Sequence, residues 1–301
     1  MVKNFEQVLE KVKCGNIKKV AVAVAQDEPV LEAIKDAKEK GLADAVLVGD
    51  KEKIEEAAKV VGLNLDDFEI IHEPNNALAA KKAVELVSTG KADMVMKGLI
   101  DTATFLKAVL DKEKGLRTGK VLSHVAVFEV SALDRILIVT DAAMNIAPDL
   151  STKKQILENA VQVAKAIGFE IPKVAVVGAV EVVNPDMQPT LDAAALSKMN
   201  DRGQIKGCIV DGPLAIDNAL SEEAAHHKGI KSPVAGKADI ILVPNIETGN
   251  VMYKTLTYAA NAKNGGILAG AAAPVILTSR ADSPESKLFS IALACLVAGC
   301  K

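Results

Sequence analysis

Short Val-, Ile- and Ala-rich runs bounded by Gly, Asp or Asn alternate along this chain with longer segments whose apolar positions recur at helical spacing. That alternation is the pattern of stacked βαβ units. Residues 19–25 (KVAVAVA) are apolar without alternation, which predicts a strand buried on both faces of a parallel sheet. An amphipathic helix over 28–40 stopped by Gly41, and a strand over 43–48 closed by Gly49 and Asp50, complete the first unit. The rhythm continues with a helix at 51–61, a strand at 68–71, a helix at 76–88 and a strand at 92–96. Further strands are predicted near 121–129, 136–140, 174–180, 207–211, 240–244 and 275–278, with helices in most gaps and a last helix over 284–297.

A Gly- and Lys/Arg-rich connection at 115–123 changes the style of the chain and leads into His124-Val125-Ala126-Val127-Phe128-Glu129, a natural entry into a second domain. The predicted first domain is 1–120 plus about 270–301, and the second about 121–269. The last strand and helix are assigned back to the first domain because terminal elements must cover apolar surface somewhere. No internal repeat, low-complexity tract or long charged run stands out. The fold class expected is α/β, with two domains built on mainly parallel sheets.

Composition removes several functions. Aromatic residues make up 3% of the 301 residues, Trp is absent and the net charge is -3, so neither base-stacking platforms nor a basic duplex-binding face is available. Nucleic acid is therefore not expected as a partner. The longest apolar stretch, 267–277, contains Gly270 and Pro274 and is too short to cross a bilayer. The N-terminus lacks an apolar core and a small-residue cleavage site, so no membrane association or secretion is expected. Cys14, Cys208, Cys295 and Cys300 include no C-x-x-C pair, and a cytoplasmic location follows as the expectation. His226 and His227 diverge by about 100° on a helix, a poor metal pair, and no metal centre is predicted. No G-x-S-x-G elbow or G-x-G-x-x-G follows a strand, and 115–120 is one residue short of a P-loop, with Val121 where Ser or Thr is required.

In open α/β sheets anions collect at the carboxyl ends of strands, where loops enter helix N-termini. Four such junctions carry suitable residues. Lys97, Gly98 and Thr102 form the first, a cation, a Gly for close backbone approach and a hydroxyl entering a helix. Its plainer reading is a surface Lys, a turn Gly and a Thr or Asp helix cap. Ser279, Arg280 and Asp282 form the second, just before a helix opened by Pro284. Arg280 can grip phosphate through two parallel bonds and Ser279 can donate to a leaving oxygen; alternatively Arg280 pairs with Asp282 or Glu285 on the surface. Thr248, Gly249 and Asn250 form the third, a turn into a helix carrying Lys254, where backbone amides can cradle an anion. Asp141 and Asn145 mark the fourth, and each serves equally as a turn residue.

In this order the four junctions resemble those of the phosphate acetyltransferase and phosphate butyryltransferase family, over nearly the whole chain. The most specific pieces are Asp211-Gly212-Pro213-Leu214-Ala215-Ile216-Asp217, Ala235-Gly236-Lys237-Ala238-Asp239 through Pro244, Thr248-Gly249-Asn250 with Tyr253-Lys254, then Gly270, Pro274 and Ser279-Arg280. The compact length and the run 279–283 are closest to the butyryl branch. The resemblance implies a fold similar to isocitrate and isopropylmalate dehydrogenases, an active-site cleft between the domains, and a homodimer or larger homo-oligomer. It implies an acyltransferase running butanoyl-CoA plus phosphate to butanoyl phosphate plus CoA, reversibly, with acetyl as the alternative acyl group. CoA would be a substrate, with acyl-CoA, acyl phosphate and inorganic phosphate, and no cofactor would be tightly bound. Ser279 would then bond the phosphate or leaving oxygen, and Arg280 would bind its charge.

Two positions depart from the acetyl branch. An Asp seven residues after the Ser, the proposed base for the CoA thiol, is replaced by Ser286, which leaves Asp282, Glu285 or no base at all. An Arg on the helix after the first junction is matched by Lys107, which keeps charge but loses the planar fork. The chemistry expected is direct transfer in a ternary complex without an acyl-enzyme. The rivals are an NAD-dependent dehydrogenase of the same fold type and a noncatalytic acyl-phosphate or CoA binder.

Overall fold

The structure, a computed structural model, describes residues 2–279 and 281–299. In chain order the elements begin α1 (Phe5–Lys13), β1 (Lys18–Ala23), α2 (Glu28–Glu39), β2 (Ala43–Gly49), α3 (Lys51–Val61), β3 (Glu69–His72), α4 (Asn76–Ser88), β4 (Met94–Lys97) and α5 (Thr102–Val109). There follow β5 (Ser123–Glu129), β6 (Ile136–Thr140), α6 (Leu150–Ile167), β7 (Lys173–Val177), α7 (Gln188–Asp201), β8 (Ile209–Leu214), α8 (Ile216–Leu220) and α9 (Glu222–His227). The chain closes with β9 (Ile240–Leu242), α10 (Ile246–Lys254), β10 (Lys263–Ala269), β11 (Val275–Ile276) and α11 (Pro284–Ala298).

Two compact units result. The first joins Phe5–Lys120 to the segment from Gly265 onward, and the second holds Val121–Asn264 with the residues up to Asn4. In the first unit the strand order is β3-β2-β1-β4-β11-β10, parallel throughout except for β10 against β11. Val20 to Ala25 are all fully buried, as a run without polar alternation requires. α11 is apolar on nearly every side, and its Phe289 ring stacks on Phe5 of α1 at 4.0 Å between centroids and 8° between planes. In the second unit the order is β5-β6-β9-β7-β8, with only β5 and β6 antiparallel. Phe128, Leu137, Val139, Ile241 and Val243 form the centre of its core. Both sheets are mainly parallel, and the α/β class expected from the periodicity is the class observed.

One device occurs in both units. Gly90-Lys91-Ala92-Asp93 and Gly236-Lys237-Ala238-Asp239 repeat the same four residues, each immediately before or at the entry to a strand. Asp93 accepts from Lys19 N at 2.8 Å while its own N–H donates to Lys19 O at 2.8 Å. Asp239 accepts from Lys173 N at 2.8 Å and donates to Lys173 O at 2.9 Å. Each Asp thus closes the open end of a parallel pair, β1 with β4 and β7 with β9, where the first N–H would otherwise lack a partner. Gly90 and Gly236 take φ of 76° and 72°, the left-handed turn that delivers the Asp. Four residues are too few to stand out as an internal repeat in the sequence; the matching hydrogen bonds show that the two copies do the same work.

Several strands are shorter than the sequence expectation, among them β1, which ends at Ala23, and β7, which ends at Val177, and three further differences have a physical reason. β4 begins at Met94 rather than 92, since Asp93 is consumed as a clamp. β8 runs past Asp211 through Gly212 and Pro213, which an edge strand tolerates because one side needs no N–H donor. β10 is an additional strand; Gly265 and Gly266 disguise it, and the first is required because a Cβ at 265 would meet Phe289 Cβ at 2.9 Å.

Candidate functional site

β1, β4 and β11 lie side by side and parallel in the first unit, so their carboxyl ends share one edge of the sheet. β2 and β3 extend outward from one side of β1, whereas β4 and β11 extend from the other. The gap between β1 and β4 is therefore a topological switch point, where diverging connections leave room for a ligand. Ala23 is in register with Lys97, and Ile276 with Met96. That pairing places Lys97, Gly98 and the segment from Leu277 to Ser279 on neighbouring strand ends.

Lys97 ends β4 and is buried, 5% exposed, with its Nζ 3.4 Å from Gly98 O. It is not the surface lysine of the plainer reading. Gly98 N donates to Ala23 O at 2.9 Å and Leu99 N to Val24 O at 2.8 Å, which laces the junction onto β1. A Cβ at 98 would collide with the Val24 carbonyl oxygen and stand 2.8 Å from Ala23 O. The close backbone approach is therefore made to the protein itself. Val24 sits at φ 59°, a left-handed conformation unusual for a β-branched residue. Asp101 caps α5 by accepting from Thr104 N at 2.8 Å, and that bond holds its carboxyl below the ordinary value. Thr102 is the exposed first residue of α5, and Lys107 is exposed in its last turn.

After β11 the chain makes a tight turn. Ser279 N donates to Asp282 Oδ2 at 2.7 Å, and Asp282 N returns to Ser279 O at 3.2 Å. Ala281 N reaches Ser279 Oγ at 3.3 Å, which leaves the hydroxyl proton of Ser279 as a donor at an exposed position. Ser283 caps α11 by accepting from Ser286 N at 3.1 Å, with Pro284 at the first helical position. Asp282, one of the bases left open by the sequence, is half-buried and engaged with the Ser279 amide. Arg280 lies outside the described residues.

The second unit has its own junction, at the ends of β6 and β9. Asp141 organises it, accepting from Ala143 N at 2.9 Å, Met144 N at 3.0 Å and Asn145 N at 3.2 Å. Asn145 Nδ2 donates to Asp141 Oδ2 at 2.6 Å and to Leu122 O at 2.8 Å. Asn245 caps α10 by accepting from Thr248 N at 3.0 Å, so that amide is already taken. Gly249 is buried, and a Cβ there would collide with Asp141 O and lie 2.9 Å from Ala142 Cα. Asn250 Nδ2 reaches Ala142 O at 3.4 Å. Lys254 is exposed at the end of α10, four residues on from Asn250 and hence on the same helix face.

The structure thus gathers Lys97, Gly98, Ser279 and Asp282 at one sheet edge of the first unit, and Asn145, Gly249 and Asn250 at one junction of the second. Thr248 and Lys254 lie in the first and last turns of α10, and Thr102 and Lys107 in the first and last turns of α5. Asp141 and Lys287 carry more of the local bonding than sequence spacing suggested. The signal for Lys287 is the one basic residue in a helix that is apolar from Leu288 onward apart from Ser290. A cavity of about 360 Å³ lined by α4 residues such as Lys81 and Lys82 and by Asp111, Glu113 and Lys114 contains none of the strand-end residues.

Among the described residues, the two buried thiols are poor nucleophiles. Burial pushes Cys208 up to about 11 and Cys295 up to about 12, and Cys14 is exposed on α1's C-terminal side. Among the described residues no group of three His, Cys, Asp or Glu is arranged to hold a metal ion.

The model of the family described as Phosphate acetyl/butaryl transferase matches residues 4–81 and 67–295. Phosphate butyryltransferase of Clostridium acetobutylicum is 67% identical over 301 residues, covering 100% of both chains. The protein of the same name from Clostridium beijerinckii is 62% identical over 298 residues, covering 99% of both. Among solved structures, a branched-chain phosphotransacylase from Enterococcus faecalis V583 superposes with a TM-score of 0.83 at 36% identity, over 94% of this chain and 99% of that one. With strand-end junctions of this construction and full-length likeness of this degree, the chain belongs to the phosphate acetyl/butaryl transferase family.

Proposed function

We propose that this chain is an acyltransferase that moves a butanoyl group reversibly between coenzyme A and inorganic phosphate. The observation that carries the reading is the 67% identity over the full length to a phosphate butyryltransferase; an exposed Ser279 after β11, the strand paired with the one that Lys97 ends, supports it. Butanoyl-CoA, butanoyl phosphate, CoA and phosphate are its substrates and products, with no tightly bound cofactor. It works in the cytoplasm as a homodimer or larger homo-oligomer, and its two compact units are its two domains.

In the acyl-phosphate direction, a phosphate oxygen attacks the thioester carbonyl, the C–S bond breaks and the thiolate leaves. In reverse, the CoA thiolate attacks the acyl-phosphate carbonyl and phosphate departs with the electron pair of the C–O bond. Lys97 and Arg280 hold the phosphate charge, and Ser279 donates its hydroxyl proton in a hydrogen bond to the attacking or leaving phosphate oxygen. Thr102, Lys107, Asn145, Thr248, Gly249, Asn250, Lys254 and Asp282 complete the phosphate- and CoA-binding set. A strong base is unnecessary, because a thiol of pKa about 8.5 is already a few per cent ionised at neutral pH.

Thiol release from butanoyl-CoA that depends on added phosphate tests the reaction. Comparing acetyl-CoA tests the acyl group: two methylenes buried in the site correspond to about 1.6 kcal/mol, or about fifteenfold in kcat/KM. Absence of phosphate-dependent release would end the proposal, and a preference for acetyl would move the chain to the other branch.

A further inference from the structure

Lys287 is the fourth residue of α11 and is only 2% exposed, among Leu288, Phe289, Ile291 and Leu293. An ammonium in such a place is unfavourable unless its donors are satisfied, and packing alone would be served better by Leu or Met. Its Nζ donates to two main-chain carbonyls, Asp282 O at 2.6 Å and Ser279 O at 3.2 Å. These are the last and first residues of the turn that Ser279 N and the Asp282 carboxylate already close from the other direction. The Asp282 carboxylate, and Asp27 at the cap of α2 just after β1, oppose the downward pull of burial on its pKa.

Resting on the reading that Ser279 and its neighbour handle phosphate, we propose that Lys287 is a positioning residue for the transfer, its ammonium locking the 279–282 turn in the geometry that receives the phosphoryl group. It touches no substrate. By holding both carbonyls from inside the helix, it removes conformations of the turn before substrate arrives, so ordering is not charged against phosphate binding.

The test uses the intact chain with Lys287→Met, and Ser290→Ala as a control. Ser290 accepts from Gly266 N at 2.9 Å and donates to Ser286 O at 2.8 Å, so its loss weakens α11 without touching the turn carbonyls. In Lys287→Met the KM for phosphate should rise about tenfold or more, with KM for butanoyl-CoA within about twofold; Ser290→Ala should leave both within about twofold despite a lower melting temperature. Amide exchange over 279–283 should be protected in the wild type and about tenfold faster in Lys287→Met. An unchanged phosphate KM, an equal rise in Ser290→Ala, or unaltered exchange overturns the proposal. Should Lys287→Met fail to fold, wild-type exchange over 279–283 as fast as in an unstructured peptide does the same. If the wild type releases no thiol, the functional reading falls and the exchange measurement alone decides the fate of the Lys287 lock.

Discussion

Gly98 packs directly beneath the Val24 carbonyl, so close that no side chain fits between the end of β4 and the end of β1. Two amide bonds, Gly98 N to Ala23 O and Leu99 N to Val24 O, exploit that proximity. Gly98→Ala must push the junction off β1. Turnover should fall by about a hundredfold or more and the melting temperature by several degrees, because a misplacement of about 1 Å costs that much in a positioned site. Near-normal turnover measured on folded Gly98→Ala protein would show that the junction does not position the chemistry.

Ser279 offers the opposite case, an exposed side chain whose hydroxyl, among the described residues, accepts one weak bond from Ala281 N at 3.3 Å. Ser279→Ala should therefore leave chemical denaturation within about 0.5 kcal/mol of wild type. The rate should fall by about a hundredfold if the hydroxyl stabilises charge at the phosphate oxygen. Arg280→Ala should also cost turnover sharply with the fold intact. Wild-type kcat/KM in either variant would remove that residue from the mechanism.

Asp239 is 3% exposed, and burial raises its pKa above the ordinary 3.8 in spite of the bond from Lys173 N and the nearby charge of Arg135. A carboxyl whose folded pKa is raised contributes least where it is ionised, so its effect on stability worsens as pH climbs from 3.8 through the folded value. Asp239→Asn keeps an acceptor for Lys173 N without the charge. Its stability relative to wild type should thus improve with rising pH, read from urea midpoints across that range. Asp239→Ala, which orphans the amide, should cost about 2 kcal/mol at neutral pH. A flat difference between the Asn variant and wild type would mean that the buried carboxylate carries no desolvation penalty.

Cys208 and Cys295, with thiols raised to about 11 and about 12, are both buried. At pH 8 about one Cys208 in a thousand is thiolate. Alkylation mapped by mass spectrometry should label exposed Cys14 in minutes and leave 208 and 295 unmodified until the protein unfolds. Acyl label found on either buried thiol during turnover would contradict direct transfer.

Much of this protein was legible before any coordinates. The unbroken apolar run of β1, the caps and glycines around α2 to α4, and Pro284 at the start of α11 all act over a few residues, where local propensity and spacing decide the outcome. The α/β class and the order of the junctions follow from them. Tertiary structure decided what depends on contacts across long separations. That Asp93 and Asp239 close strand pairs, that Gly98 serves Val24, that Gly249 serves Asp141, and that Gly265 admits Phe289 cannot be read from neighbours in sequence, since each partner lies more than twenty residues away. Lys287 shows the same limit at short range: its spacing was visible, but only burial, which the whole fold imposes, turns an ordinary helix charge into one that must find its donors' partners in the turn beside it.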